Sequence, residues 1–258
     1  MGTVILGILL GVGILMYSLI SGATKSGIIL DAYSMVLVLG GSLSATLMSV
    51  TYKNLKELFG TIKTTLTKSN LNKEDVTDEL ISISEAAANT KTLTSLVHHS
   101  ENILIQKGIR LLQNEIDPTD IKRIMSDFIS NEKNQILQNS EILRSIAKYP
   151  PSFGMIGTIL GLVGLLEEMS LSSGIETIGI KMAMALVTTL YGILIANYIL
   201  LPLAEIIVNK AQYDLKMKKQ ILDTFVLISS NKNDPVLVKE YLGVLGVGFQ
   251  NENLKEVS

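Results

Sequence analysis

Tyr149–Leu166 reads YPPSFGMIGTILGLVGLL, eighteen residues without one Asp, Glu, Lys, Arg or His. A helix needs about 20 mostly apolar residues, with a range of roughly 17–25, to cross a hydrocarbon core about 30 Å thick. The Pro150–Pro151 pair marks where this helix begins, because proline is tolerated in a first turn and not beyond it. Its glycines, Gly154, Gly157, Gly161 and Gly164, fall within an arc of about 80° at 100° per residue. A stripe of small residues lets a second helix approach closely, which matters in lipid, where no hydrophobic drive pulls helices together.

Three further stretches share this composition: Met1–Thr24, Ala32–Tyr52 and Met182–Ala204. With the first they hold 86 residues, a third of the 258-residue chain, and the other 172 residues carry all 46 charges. The overall 18% of charged residues is therefore two compositions averaged, against about 25% in an ordinary soluble domain. A purely soluble protein is excluded. Met1–Gly2–Thr3 lacks the basic start of a signal peptide, so the first stretch is read as a membrane helix. The fold expected is all-α, a polytopic membrane protein with four transmembrane helices and a helical cytoplasmic domain between helices 2 and 3.

Lys and Arg placement gives the orientation. One basic residue, Lys25, lies in the first hairpin and one, Lys181, in the second, whereas residues 53–148 hold thirteen and the tail after Ala204 holds seven. Lys53, Lys56 and Lys63 follow span two, Arg144 and Lys148 precede span three, and Lys210, Lys216, Lys218 and Lys219 follow span four. All fall on one side. Both termini and the middle segment are expected in the cytoplasm. The chain divides into a hairpin at 1–52, a cytoplasmic domain at 53–149, spans three and four at 150–204 and a cytoplasmic tail at 205–258.

The cytoplasmic parts read as helices. Leu55, Leu58, Phe59, Ile62 and Leu66 repeat at helical spacing, as do Val76, Leu80, Ile83 and Ala87,. Asp117–Pro118 is an N-cap acid followed by proline at the first helical position, and Ile121, Ile124, Met125, Phe128 and Ile129 form an apolar face. Lys181–Ser230 has no glycine after Gly192 and one proline, Pro202. Helical throughout, it would reach about 75 Å, well beyond a bilayer. Asn233-Asp234-Pro235 starts a short final helix.

Several function classes drop out. A net charge of -2 is wrong for a nucleic-acid partner. Without cysteine, and with only His98 and His99, no thiol chemistry or His-based metal site is expected. No span edge gathers His, Asp or Ser at nucleophile or metal spacing; the chain is not read as an enzyme, and no cofactor is expected. The four spans also contain no ionisable acid or base, and an ion relay needs an intramembrane carboxylate or similar group. If this protein conducts ions, a partner helix must bring that group.

In span four, Ala185, Thr189, Gly192 and Ala196 form a second small-residue stripe, about 60° wide. Either the two stripes pack spans three and four together, or they line a slot for another helix or a narrow polar path. Thr158, Thr188 and Thr189 divide the same way. A membrane threonine ordinarily bonds its own backbone one turn back, yet hydroxyls bordering a stripe can offer oxygen to a passing ion.

Pro151-Ser152-Phe153-Gly154-Met155-Ile156-Gly157-Thr158, with Met182-Ala183-Met184-Ala185-Leu186-Val187-Thr188-Thr189-Leu190-Tyr191-Gly192 and Leu201-Pro202-Leu203-Ala204, resembles the flagellar stator A-subunits, the MotA/PomA branch of the MotA/TolQ/ExbB group. The resemblance implies five such chains around two B-subunits, in the bacterial inner membrane. A MotB/PomB-like B-subunit would supply the membrane aspartate, and a switch-complex protein of the rotor would be turned. It implies hinge roles for Pro151 and Pro202 and pore-facing hydroxyls at Thr158 and Thr189, with Thr188 beside them. Having both threonines is similar to sodium-type members, so Na+ is expected over H+ as the transported ion. The family's charged rotor pattern is displaced here, leaving Lys91 and Glu101 as the nearest charges. An ExbB/TolQ-like energiser of another envelope machine and a non-conducting helical scaffold are the competing readings; the first usually lacks a leading hairpin such as Met1–Tyr52.

Overall fold

The computed structural model describes residues 31–67, 73–87, 100, 102–170, 175–230 and 235–253, and elsewhere Gly7, Leu10, Gly11, Gly13, Ile14, Tyr17, Leu93 and Leu96. Among these residues there is no strand. The helices are α1 (Ala32–Ser49), α2 (Tyr52–Thr67), α3 (Lys73–Ala86), α4 (Ile103–Gln113), α5 (Pro118–Ile146), α6 (Tyr149–Ser170), α7 (Ile175–Leu194), α8 (Leu201–Ser230) and α9 (Pro235–Asn253), with a π-helical segment, Ile195–Leu200, joining α7 to α8. Among the described residues three helical stretches are long and apolar enough to cross a membrane: 32–49, 118–170 and 178–230. The six described residues of the first span are all helical.

Helix ends follow local chemistry. Asp31 caps α1, its carboxylate accepting from the Ser34 N–H at 2.7 Å, and Asn102 caps α4 through the Leu104 N–H at 2.9 Å. Asp117 does the same for α5, accepting from the Thr119 N–H at 3.3 Å, one residue before the proline that the sequence places first. Pro150 and Pro151 have no N–H to offer the carbonyls of Ile146 and Ala147, so the backbone ladder fails there. Helix α5 stops at Ile146 and α6 starts at Tyr149.

The chain forms two compact units, 1–67 with 136–209 and 68–135 with 210–258. In the first, α1 turns a stripe of Ser34, Val38, Ser42 and Thr46 inward. This four-residue repeat of small side chains had no place in the expected packing. Its hydroxyls are spent locally: Ser42 donates to the Val38 carbonyl at 2.5 Å and Thr46 to that of Ser42 at 2.8 Å. Farther along, Leu58, Leu143, Ala204 and Ile207 form a small core. Asn139 donates to the Thr61 hydroxyl at 2.7 Å and Ser140 to the Ala204 carbonyl at 3.2 Å, tying α2, α5 and α8 around it. Arg144 bridges to Glu205 at 2.7 Å.

The second unit has the larger core. Leu80, Ile83, Leu104, Ile105, Ile109, Ile121, Met125, Ile221, Phe225 and Ile228 are each 2% exposed or less. Val76, Leu80 and Ile83 bury as their spacing predicts, and Ile121, Met125 and Ile129 do too. Ile124, from the same expected face, stays 42% exposed. On α2 the apolar residues split: Leu58 is buried while Phe59 and Leu66 are exposed, because the buried face is centred on Leu58 and Thr65. The final helix starts at Pro235 but runs nineteen residues, longer than expected.

Near this core Lys218 bridges to Glu132 at 2.6 Å, its side chain only 15% exposed. Burial pushes the Asp214 carboxyl above its ordinary range; Lys218 and Lys210 partly oppose the shift and Glu132 adds to it. The raised pKa belongs to the folded state, so ionised Asp214 disfavours folding near neutrality. Stability should rise as pH falls through the raised value and level off near the ordinary aspartate pKa of 3.8,. Asp214→Asn should remove that rise, read as the melting temperature of both proteins from neutral to acid pH. Parallel curves would refute it.

Candidate functional site

Span three lies within α6, span four runs from α7 through the π-helical segment into α8, and the stripes meet face to face. Gly154 and Gly157 on α6 and Ala185 and Gly192 on α7 are buried. A Cβ placed on Gly154 would sit 3.0 Å from the Thr189 Cα, and one on Gly161 would sit 2.5 Å from the Ala185 Cβ. At Gly157 it would drive into the Thr188 side chain. Gly164 is different, with only the Lys181 Cδ near, at 3.9 Å. The glycines therefore let the two backbones touch.

Gly192 works against the start of α6. A Cβ there would lie 2.9 Å from the Pro150 carbonyl carbon and 3.0 Å from the Pro151 Cα. So Pro151, the first expected hinge, sits against Gly192, where no side chain stands in its way. Pro202, the second, lies just beyond the π-helical segment, where the Leu201 N–H bonds the Ala196 carbonyl five residues back. A helix-interior proline ring crowds the carbonyl four residues before it, here that of Tyr198, and a π turn is one way to relieve this.

Where the backbones touch, two hydroxyls meet. Thr158 Oγ1 and Thr189 Oγ1 hydrogen-bond directly to one another. Thr158 is also within reach of the Ala185 carbonyl at 3.1 Å and the Gly154 carbonyl at 3.2 Å, and Thr189 reaches the Gly154 carbonyl at 3.1 Å. Two hydroxyls carry two hydrogens and four lone pairs. One hydrogen joins the pair and the other goes to a carbonyl, which leaves three lone pairs with no hydrogen to accept. Both residues are half-buried. An oxygen-rich, uncharged patch of this kind suits a cation or water and offers nothing to an anion.

Thr188 lies elsewhere. It is 2% exposed and donates to the Ser34 hydroxyl at 2.8 Å or the Met184 carbonyl at 2.7 Å. Ser34 in turn donates to the Asp31 carboxylate at 2.5 Å. Sequence spacing places Thr188 next to Thr189 but 100° around the helix, and the structure spends that angle on α1. Lys91 and Glu101, the charges named for a rotor contact, fall outside the described residues. Among the described residues no group of three His, Asp or Glu is placed to hold a metal ion, and no buried side-chain polar atom lacks a partner.

Comparison with known proteins agrees with this architecture. Residues 97–220 match the MotA/TolQ/ExbB proton channel family. The chain is 28% identical to the uncharacterized protein YtxD of Bacillus subtilis, over 88% of this chain and 84% of that one. It is 27% identical to the chemotaxis protein PomA of Vibrio alginolyticus, over 92% of each. The solved structure of C. jejuni MotAB superposes with a TM-score of 0.81 over 93% of both chains at 17% identity, so the all-α, four-span fold expected from the sequence is the fold observed. Residues 97–220 are thus similar to the MotA/TolQ/ExbB family, and the relatives extend that similarity nearly end to end.

Proposed function

We propose that this chain is the A-type stator subunit of a bacterial flagellar motor, converting ion motive force into torque. The observation that carries the reading is the Thr158–Thr189 hydroxyl pair, set between two spans that hold no ionisable side chain. Such a site can bind and orient an ion in transit, yet it cannot take up or release a proton. A single-span B-subunit supplies the missing aspartate, and several copies of this chain, five around a B-subunit pair, enclose it. The MotA and PomA names of the relatives support that assignment.

The aspartate holds the ion while the threonine oxygens replace part of its water shell. Pro151 and Pro202 bracket the paired helices and let them tilt as the carboxylate changes charge. Lys91 and Glu101 are the charges this reading assigns to contact with the rotor's switch complex. Sodium is the transported ion, since two hydroxyl oxygens help a cation shed water and a hopping proton gains little from them. The chain works in the inner membrane, with residues 53–149 and 205–258 in the cytoplasm, and has no enzymatic step or resident cofactor.

Deleting the gene should leave cells with filaments that do not turn, and the wild-type gene should restore swimming. Thr158→Ala should restore it only partly, raising the sodium needed for half-maximal speed by about tenfold if the lost oxygen behaves like one charge-assisted bond. Normal swimming by the deletion strain would remove the stator reading. An unchanged sodium response would remove the ion assignment alone.

A further inference from the structure

Helix α2 begins three residues after Ser49, the last residue of the apolar α1, so it starts where the chain leaves the membrane. Its outward face is unusual. Tyr52 is 80% exposed, Phe59 63% and Leu66 54%, spaced seven residues apart so that they align within one arc of about 40°. Lys63 and Lys56, both exposed, edge this stripe about 20° and 40° to one side of Tyr52, and exposed Lys53 lies farther round on that side. The acid of this helix, Glu57, lies well round towards the other side, about 140° from Tyr52, and the core contacts of α2 run through Leu58.

A water-facing helix does not align an aromatic, an aromatic and a leucine; a helix buried in protein does not thread lysines between them. The combination suits a lipid–water boundary, where rings and leucine enter the acyl edge and lysine amines reach the phosphates. The fixed positive charge, without an acid in the stripe, selects the sign of the headgroup.

We propose that the Tyr52–Phe59–Leu66 face of α2 is a docking surface for anionic phospholipid, with Lys56 and Lys63 binding headgroup phosphates. Through α2 the bilayer surface reaches Leu58 and Thr61, and so the small core and the Asn139 bond that tie α5 and α8 beside Pro202.

The chain contains no tryptophan, so Phe59→Trp introduces a single reporter into the full-length protein. It would be reconstituted into phosphatidylcholine–phosphatidylglycerol bilayers, with bromine carried near the acyl headgroup end of one lipid or the other. Quenching by brominated phosphatidylglycerol should exceed that by brominated phosphatidylcholine at least about twofold at equal mole fraction. Lys56→Gln with Lys63→Gln should bring the ratio to about one, and Lys→Arg at both should keep it. Quenching by neither lipid would show that protein, such as a second copy of the chain, covers this face. Equal quenching by both would show apolar contact without headgroup selection. Either result overturns the proposal.

Discussion

Gly192→Leu should abolish motility and sharply reduce the folded protein recovered from membranes. The obstacle is backbone: a Cβ at this position meets the Pro150 carbonyl carbon at 2.9 Å and the Pro151 Cα at 3.0 Å, and neither can rotate away as a side chain would. Overpacking ordinarily costs about 1–3 kcal/mol, and a site closed by backbone belongs at or above the top of that range. The measurement is the monodisperse fraction on gel filtration in detergent, with swimming assayed beside it. Gly164→Leu is the control, because only the Lys181 Cδ stands near it, at 3.9 Å. Equal recovery of the two variants would show that close approach at Gly192 is not needed.

The second large effect is expected at Phe225. Its side chain is fully buried, and its ring lies against Gly108, where an added Cβ would come within 2.6 Å of ring carbons. Phe225→Ala should cost about 3–5 kcal/mol, the usual loss for a buried phenylalanine. Gly108→Ala should also destabilise, by forcing the ring out of its slot. Combined with Phe225→Leu, however, Gly108→Ala should cost less than it does alone, since the shorter side chain vacates the space the methyl needs. Denaturant unfolding of the full chain in micelles, followed by circular dichroism, reads the wild type, the three single variants and the double variant. Strict additivity of the two substitutions would mean that the ring and the glycine are not coupled.

Much of this was visible in the residues. Runs without charge located the spans, and Asp117–Pro118 and Asn233-Asp234-Pro235 located helix starts, because each depends on chemistry within a few positions. The glycines of α6 were readable as a stripe, yet the stripe alone left open whether it faced a partner or α7. That choice depends on which helix lies opposite, which spacing cannot supply. Thr188 shows the same limit: its neighbour Thr189 meets Thr158, while Thr188 meets Ser34, more than 150 residues away. The Ser34–Val38–Ser42–Thr46 repeat is itself a signal in the sequence, side chains at every fourth position that share one helix face,. On α2, periodicity put Phe59 with the core because it treats every apolar residue as inward-facing, and a helix beside a membrane has two apolar directions.

The π-helical segment Ile195–Leu200 has a mechanical corollary. A wide turn holds one surplus residue, and the surplus can move along the rod by exchanging a five-residue bond for a four-residue one at a neighbouring carbonyl, without ever cutting the rod. Each such step re-phases the residues it passes by about 100° and about 1.5 Å. Such a step would turn part of the fourth span by a fixed amount, not through any angle between. Pro202, two residues beyond the segment, has no N–H to donate in any such register.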